Sequence, residues 1–242
     1  MKRHYVNIIS SIVGGTTEYR GIGAIDISKF LDLDVSDVID IFGDGSCYAF
    51  YKMDGDVTDA TGDHNGYSST VTFENGRFGL SAKSAGTDKA YLGIFNYNTP
   101  CSMSLWTKGE FSLSNGLNGS AYQTFGLTHW GLSCWQYNGA TSGLQSVSYA
   151  ADFNFIDFTH IVVTINYPSM KIYVNGILFN AITMACNVGA SSYATGIFDS
   201  SNHSNSYTGN MDHLRFFNRD IDAYEVELLF KEDRKLFIPT KA

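Results

Sequence analysis

The sequence predicts an all-β fold of two packed antiparallel sheets, preceded by a short N-terminal helical arm and followed by a short C-terminal helix. Three observations carry this prediction. First, Thr159 to Asn180, THIVVTINYPSMKIYVNGILFN, reads as strand, turn and strand: Ile161, Val163 and Ile165 alternate with Val162, Thr164 and Asn166, which puts two rows on opposite faces of a half-buried strand. Pro168 and Ser169 break the run, Lys171 to Val174 resume it, and Asn175-Gly176 supplies the pair that a two-residue primed turn needs. Three strands therefore follow one another as a meander. Second, hydrophobic residues make up 44% and charged residues 17%, with 17 Phe, 15 Tyr and 24 Gly, which suits short aromatic-rich strands joined by Gly, Asn and Ser turns. Third, strand signals recur from Cys47 to Asn218 with no helical stretch between them.

The totals bound the partners. A chain of 242 residues can bury a sizeable core. A net charge of -8 and a pI near 5.1 exclude nucleic acid as the favoured partner, because binding to a phosphate backbone draws on a Lys/Arg surplus. No apolar run approaches the ~20 residues that a spanning helix needs, so no membrane insertion is expected. The N-terminal MKRHYVNIISSIVGG has a basic start, yet Asn7, Ser10 and Ser11 interrupt its apolar patch and no small-residue cleavage site follows cleanly. Cys47, Cys101, Cys134 and Cys186 are far apart and lack zinc-ligand spacing; they are expected as buried free thiols, with one or two disulfides as the alternative.

Residues 1–45 are expected to form an arm distinct from the β body expected over 46–235 and the tail 236–242. The arm carries six aspartates between Asp26 and Asp44, and Val35, Val38, Ile39 and Phe42 recur at helical spacing, with Asp34 or Ser36 as cap and Gly43 as stop. It is too small and acidic to make its own core, so it packs on the main domain or docks onto another chain. Strands are expected at 47–52, 70–73, 78–80, 90–95, 101–107 and, more weakly, 111–113. A hairpin is expected from 121–127 and 131–137, a polar loop around 139–146, then a strand at 148–155 and the meander. The last strand, MDHLRFFN at Met211 to Asn218, alternates Met211, His213, Arg215 and Phe217 against Asp212, Leu214, Phe216 and Asn218. Asp222 and Glu225 form a capping-box pair ahead of a helix bearing Val226, Leu228, Leu229 and Phe230.

Six blocks in order, YAFYKMDGDVTDATG, GRFG at Gly76 to Gly79, SLW at Ser104 to Trp106, FTHIVVTIN, KIYVNG and YTGNMDHLRFFNRDIDAYEVELLF, resemble the LamG-like domains of the concanavalin A-like lectin and glucanase superfamily over Cys47 to Phe230. The resemblance implies a two-sheet jelly roll, used mostly for carbohydrate binding or adhesion, in some members with calcium and in a minority with glycosidase activity. It also implies a structural role for His160. The stretch IFGDGSCYAFYKMDGDVTD further resembles LamG-type proteins of tailed bacteriophages, which implies a virion surface or extracellular location, with residues 1–45 anchoring the chain to other virion or assembly proteins.

Candidate sites follow from topology. If strand 47–52 pairs antiparallel with strand 211–218, the loop bearing Asp54, Asp56 and Asp59 emerges beside Asp212. Four carboxylates with backbone carbonyls would suit calcium, which takes six to eight oxygens; the alternative is turn aspartates capping their own backbone. For a glycan, exposed aromatic faces with amide partners are wanted: Trp130, Tyr137 and His129 with Trp135 and Asn138 in one region, Tyr207, His203, Asn205 and Asn202 in another. Trp106 and Trp135 read rather as core. No enzyme is expected. The Glu-x-Asp-x-x-Glu strand of the superfamily's glucanases is missing, and Glu225 and Glu227 among the six glutamates read as a cap and a solvated face. The expected function is a noncatalytic carbohydrate-binding or adhesion module; the alternative is a purely structural virion or assembly protein without glycan binding, and a glycoside hydrolase is the less favoured third reading. Homo-oligomerisation fits either role.

Overall fold

A computed structural model of the protein describes residues 10–13, 16–19, 39–67, 70–96, 100–115, 125–129, 131–137, 142–148, 155–184, 190–199 and 207–232. Strands β1 (Ser10–Val13) and β2 (Thr16–Tyr19) pair with each other as a two-stranded sheet. The larger sheet has eight strands: β3 (Cys47–Tyr51), β4 (Thr72–Asn75), β5 (Leu80–Ala85), β7 (Cys101–Gly109), β12 (Thr159–Asn166), β13 (Ser169–Val174), β14 (Ile177–Thr183) and β16 (Thr208–Phe217). Their order is β14-β13-β12-β7-β16-β5-β4, with β3 also on β16. The six-stranded sheet contains β6 (Ala90–Asn96), β8 (Ser112–Asn115), β9 (Phe125–Thr128), β10 (Gly131–Tyr137), β11 (Ser142–Ser148) and β15 (Ala190–Ile197), in the order β11-β10-β9-β8-β15-β6. Every pairing is antiparallel, and helix α1 (Ala223–Phe230) closes the described chain. The predicted architecture of two antiparallel sheets is the observed one.

Alternation decides which face each strand buries. Ile161, Val163 and Ile165 of β12 meet Met103, Leu105, Leu214 and Phe216 of their own sheet and Leu92, Phe95, Leu113 and Leu127 of the other in the core between the layers. Val162 points the opposite way, into a second cluster with Phe50, Tyr173, Phe217, Ile221, Val226 and Leu229, so α1 covers the outer face of the eight-stranded sheet. The turn between β13 and β14 has φ of 51° at Asn175 and 80° at Gly176, as a primed turn requires. Asp222 caps α1 in a capping box with Glu225, as the sequence predicts.

Several expectations shift. β11 occupies Ser142–Ser148, where a polar loop is expected, because a strand of Gly, Ser and Gln with only Leu144 and Val147 carries a weak apolar signal. β15 has no counterpart in the sequence reading for the same reason; its residues are Ala, Ser, Tyr, Thr and Gly up to Ile197. The strand expected at 78–80 begins at Leu80, since Gly76 to Gly79 is a turn. Phe155, the end of the strand expected at 148–155, is outside any strand with φ of 49°, and 149–154 lie outside the described residues. Along β16 the register shifts between Asp212 and Arg215, with His213 at φ of 46°. This bulge reverses the phase, so Met211 joins Leu214 and Phe216 in the core while Arg215 and Phe217 face outward.

The predicted arm helix lies mostly outside the described residues. Its described end is a turn in which the Gly43 amide donates to the Asp40 carbonyl, and Ile41 and Phe42 pack against the α1 cluster. Arg219 ties this turn to the helix cap, meeting Asp44 at 2.7 Å and Glu225 at 2.6 Å. Residues 39–45 therefore belong to the main body. Cys47 and Cys101 are buried thiols, and burial pushes each up to about 12. Cys186 and the Cys134 side chain lie outside what is described, as does the tail 236–242.

Candidate functional site

The predicted pairing of the first and last strands holds: Phe50 is opposite Arg215 and Ala49 opposite Phe216. The loop leaving β3 approaches β16 through the GRFG turn. Asp54 Oδ1 accepts from the Leu80 amide at 2.9 Å, and Asp212 Oδ2 accepts from the Arg77 and Phe78 amides at 2.8 and 3.0 Å. A Cβ on Gly76 would lie 2.6 Å from Asp212 Oδ2, and one on Gly79, whose φ is 68°, would lie 2.8 Å from Asp54 Oδ1. The two glycines let two carboxylates grip one turn. Burial pushes the Asp212 carboxyl up to about 7, against the amides of Phe78 and Arg77.

Asp56 accepts from the Thr58 amide. Asp59 is buried and fills both oxygens: Oδ1 takes the amides of Phe50 and Thr61, and Oδ2 the Thr61 hydroxyl and the amides of Asp63 and His64. Burial alone would raise its pKa, but the hydrogen bonds from Thr61, Phe50 and His64 together hold it below the usual carboxylate range. Among the described residues no three His, Cys, Asp or Glu side chains are grouped so as to hold a metal ion. Asp54, Asp56 and Asp212 each give one oxygen to backbone amides and Asp59 gives both, at separate points, while Asp212 Oδ1 is buried with no hydrogen-bond partner among the described residues; as placed, the four are not gathered into the oxygen cage that calcium requires.

Beneath α1, Trp106 is buried on the outer side of the eight-stranded sheet rather than between the sheets, with Phe230 stacked 5.8 Å away and the Arg77 guanidinium 3.9 Å above its ring. His160 is buried beside it, with Nε2 2.8 Å from Ser104 Oγ, and burial pushes its pKa down to about 3. Its position is structural, as the resemblance implies. Arg215 stacks on Phe50 and makes a buried bidentate pair with Glu232, whose second acceptor oxygen also lies 3.4 Å from His213 Nδ1.

Of the expected sugar-binding residues, Trp130, His203 and Asn205 lie outside the described residues, and Tyr137 is in β10 with its side chain outside them. Tyr207 and His129, read as members of two separate regions, come together: their rings are 5.3 Å apart, edge to face. The β8–β9 pairing carries His129 to the rim where β16 begins, and the Tyr207 amide donates to the Phe198 carbonyl at 3.1 Å. Glu110 completes the group. Its amide donates to the Thr208 carbonyl, its Oε2 accepts from the Thr208 amide at 3.3 Å, and its Oε1 is 3.9 Å from His129 Nε2. Burial lowers the His129 pKa and Glu110 partly restores it; burial, then Glu110, raises that of Tyr207. The Glu110 side chain is 52% exposed, so its carboxylate can accept hydrogen bonds from neighbouring hydroxyls, beside a His129 side chain 12% exposed and a Tyr207 ring partly buried against the core. The sequence reading passed over Glu110, although a lone acid between Gly109 and Phe111 at a strand end was a usable signal.

A family model described as the concanavalin A-like lectin/glucanases superfamily matches residues 95–227. Domain 4 of AbnA, an extracellular arabinanase from Geobacillus stearothermophilus solved with arabinotriose, is 17% identical with a TM-score of 0.59, over 76% of this chain and 98% of that one. The binding domain of Paraclostridial Mosquitocidal Protein 1 is 16% identical with a TM-score of 0.58, over 78% of this chain and 52% of that one. Botulinum neurotoxin type C, whose cell entry depends on interaction with two ganglioside molecules, is 18% identical with a TM-score of 0.55, over 78% of this chain and 51% of that one. The chain spans about half the length of these toxin chains. At these identities the likeness is one of fold. No curated protein matches in sequence alone. No helix among the described residues is long and apolar enough to cross a membrane.

Proposed function

The chain belongs to the concanavalin A-like lectin/glucanase superfamily, and from that membership we propose that it is a noncatalytic glycan-binding module that uses the Tyr207, His129 and Glu110 rim. The observation that carries this reading is the convergence of a half-exposed carboxylate with two rings from three separate segments. The arabinotriose-bound neighbour and the ganglioside-dependent one support the ligand class. The buried carboxylates support the absence of chemistry. Asp59 and Asp212 accept backbone amides, Asp199 accepts the Tyr91 phenol, and Glu232 pairs with Arg215, so each is engaged in holding the fold. Placement outside the cell or on a virion belongs to the same reading and rests on the bacteriophage-like stretch from Ile41 to Asp59.

A glycan array followed by calorimetric titration tests it. Glu110→Gln and Tyr207→Ala are each expected to weaken binding of the retained glycan about tenfold, as loss of a charge-assisted hydrogen bond or a stacking contact does. No retained glycan, or variants that bind as wild type does, would overturn the reading. Because the aspartates do not fit a calcium cage, EDTA is expected to leave the dissociation constant within about twofold, a shift worth under ~0.5 kcal/mol. A tenfold loss restored by calcium would reinstate the ion.

An anchoring role for residues 1–38, the arm without the 39–45 turn that packs on the main body, is a second proposal, favoured by the hairpin β1–β2, whose strands pair with each other rather than with either large sheet. Deleting residues 1–38 is expected to leave the thermal transition in place while particle incorporation is lost. A variant that no longer folds would show that the arm belongs to the core.

A further inference from the structure

We propose that Tyr67 stacked on Tyr91 forms a second saccharide subsite on the outer face of the six-stranded sheet, and that the protein therefore takes a linear oligosaccharide rather than a single terminal sugar. This rests on the glycan-binding reading above. The Tyr67 ring is 57% exposed, yet it is fixed: it lies 5.8 Å from the Tyr91 ring at 22°, and the two residues exchange backbone hydrogen bonds at 2.7 and 3.3 Å. Tyr91 is held in turn. Its hydroxyl donates to the buried Asp199 at 3.1 Å, and Asp199 also faces Lys89 Nζ at 3.5 Å. Asp199 follows Phe198, a bulky residue at φ of 59°, and this costly backbone aims the carboxylate back at Tyr91. An exposed ring ordered by a buried carboxylate loses little freedom when a ligand settles on it.

The β6–β15 register shifts between the pairs Tyr91–Gly196 and Ile94–Ala194, so Tyr91 and Ile94, three residues apart, share the face turned away from the core, while Leu92 and Phe95 are buried in it. A Cβ on Gly196 would be 3.7 Å from Tyr91 Cδ1, an ordinary van der Waals distance, which places the Tyr91 ring beside β15. Ile94 is 56% exposed, three residues and about 10 Å along the strand. The result is a short apolar track with Lys89, a third exposed, at one end as a donor to hydroxyls. Two apolar side chains fall far short of the roughly 800 Å² per partner that a stable protein interface uses, whereas sugar rings need only a narrow strip with polar flanks. The Phe198 carbonyl accepts from the Tyr207 amide while the adjoining Asp199 holds Tyr91, so one buried chain segment fixes both tyrosines.

The test is titration of full-length protein with fragments, one to six sugar residues long, of the glycan the array retains, with arabino-oligosaccharides as the first set. Wild-type affinity is expected to rise with length by tenfold or more, about 1.4 kcal/mol per decade. Tyr67→Ala is expected to cancel that rise while leaving monosaccharide affinity unchanged, and Tyr67→Trp to keep it. Tyr67 is exposed, so these variants fold. If the rim binds but Tyr67→Ala holds the longest fragment as wild type does, the subsite is wrong and the glycan reading stands; if no fragment binds at all, both fall.

Discussion

Glu232→Ala is expected to lower the unfolding free energy by about 3–5 kcal/mol, a large share of the ~5–15 kcal/mol that holds a typical domain folded. Arg215 and Glu232 are each 1% exposed, and the guanidinium meets the carboxylate through two nitrogens, one at 2.8 Å. Removing the carboxylate leaves Arg215 buried against the Phe50 ring, 3.8 Å away, with its main counter-charge gone. Loss of the pair also releases His213 from the 3.4 Å approach to Glu232. The attraction is reflected in Glu232 itself: burial would raise its pKa, but Arg215 holds it down to about 2. Its stability contribution is therefore present above the ordinary carboxylate value of 4.5 and is lost as pH falls toward 2. Replacing both partners, Arg215→Met with Glu232→Leu, is expected to recover most of the loss, since apolar substitutes carry no desolvation cost. Urea titration of both variants near pH 7 checks this; a single variant within about 1 kcal/mol of wild type would mean that the pair is solvated.

That pair was not legible in the sequence. Arg215 sits in a strand whose alternation is readable, but Glu232 comes after the periodic part of α1, and only the packing of the helix end against β16 brings them together. The strands with strong β-branched or aromatic rows, β7, β12, β13 and β16, were readable, as were the Asn175-Gly176 turn and the Asp222 cap. β11 and β15 were not, because Ser, Gly and Ala carry too little apolar contrast and their assignment is settled by neighbours. The site divides the same way. Sequence brought Asp54 and Asp212 to one region through strand pairing, but it could not see that the amides at Arg77, Phe78 and Leu80 consume them. Tyr207 and His129 were nominated separately on loop chemistry, whereas their meeting with Glu110 depends on where β9 and β16 end.

Asp212→Asn is expected to change the pH dependence of stability, by up to about 4 kcal/mol between pH 4 and pH 8 at ~1.4 kcal/mol per unit. The Asp212 carboxyl is fully buried, and burial raises it from 3.8 to about 7 in the folded chain. A group whose folded pKa is raised holds its proton better when folded. Its contribution is complete below 3.8 and is lost as pH rises through 7, where the folded state carries a buried charge. His160 acts in the opposite direction: burial pushes it down to about 3, so its contribution is present above 6.5 and is lost as pH falls from there toward 3. His213, lowered by burial, adds to that side. Because these groups oppose one another, wild-type stability is expected to vary less between pH 4 and 7 than His160 alone would make it. Asparagine keeps an oxygen for the Arg77 and Phe78 amides but cannot ionise, so the variant retains only the histidine contribution and becomes more stable from pH 4 to pH 8 relative to wild type. Chemical denaturation of both proteins at pH 4, 6 and 8 decides it: parallel curves would mean that Asp212 is ionised across the whole range, with the two turn amides outweighing its burial.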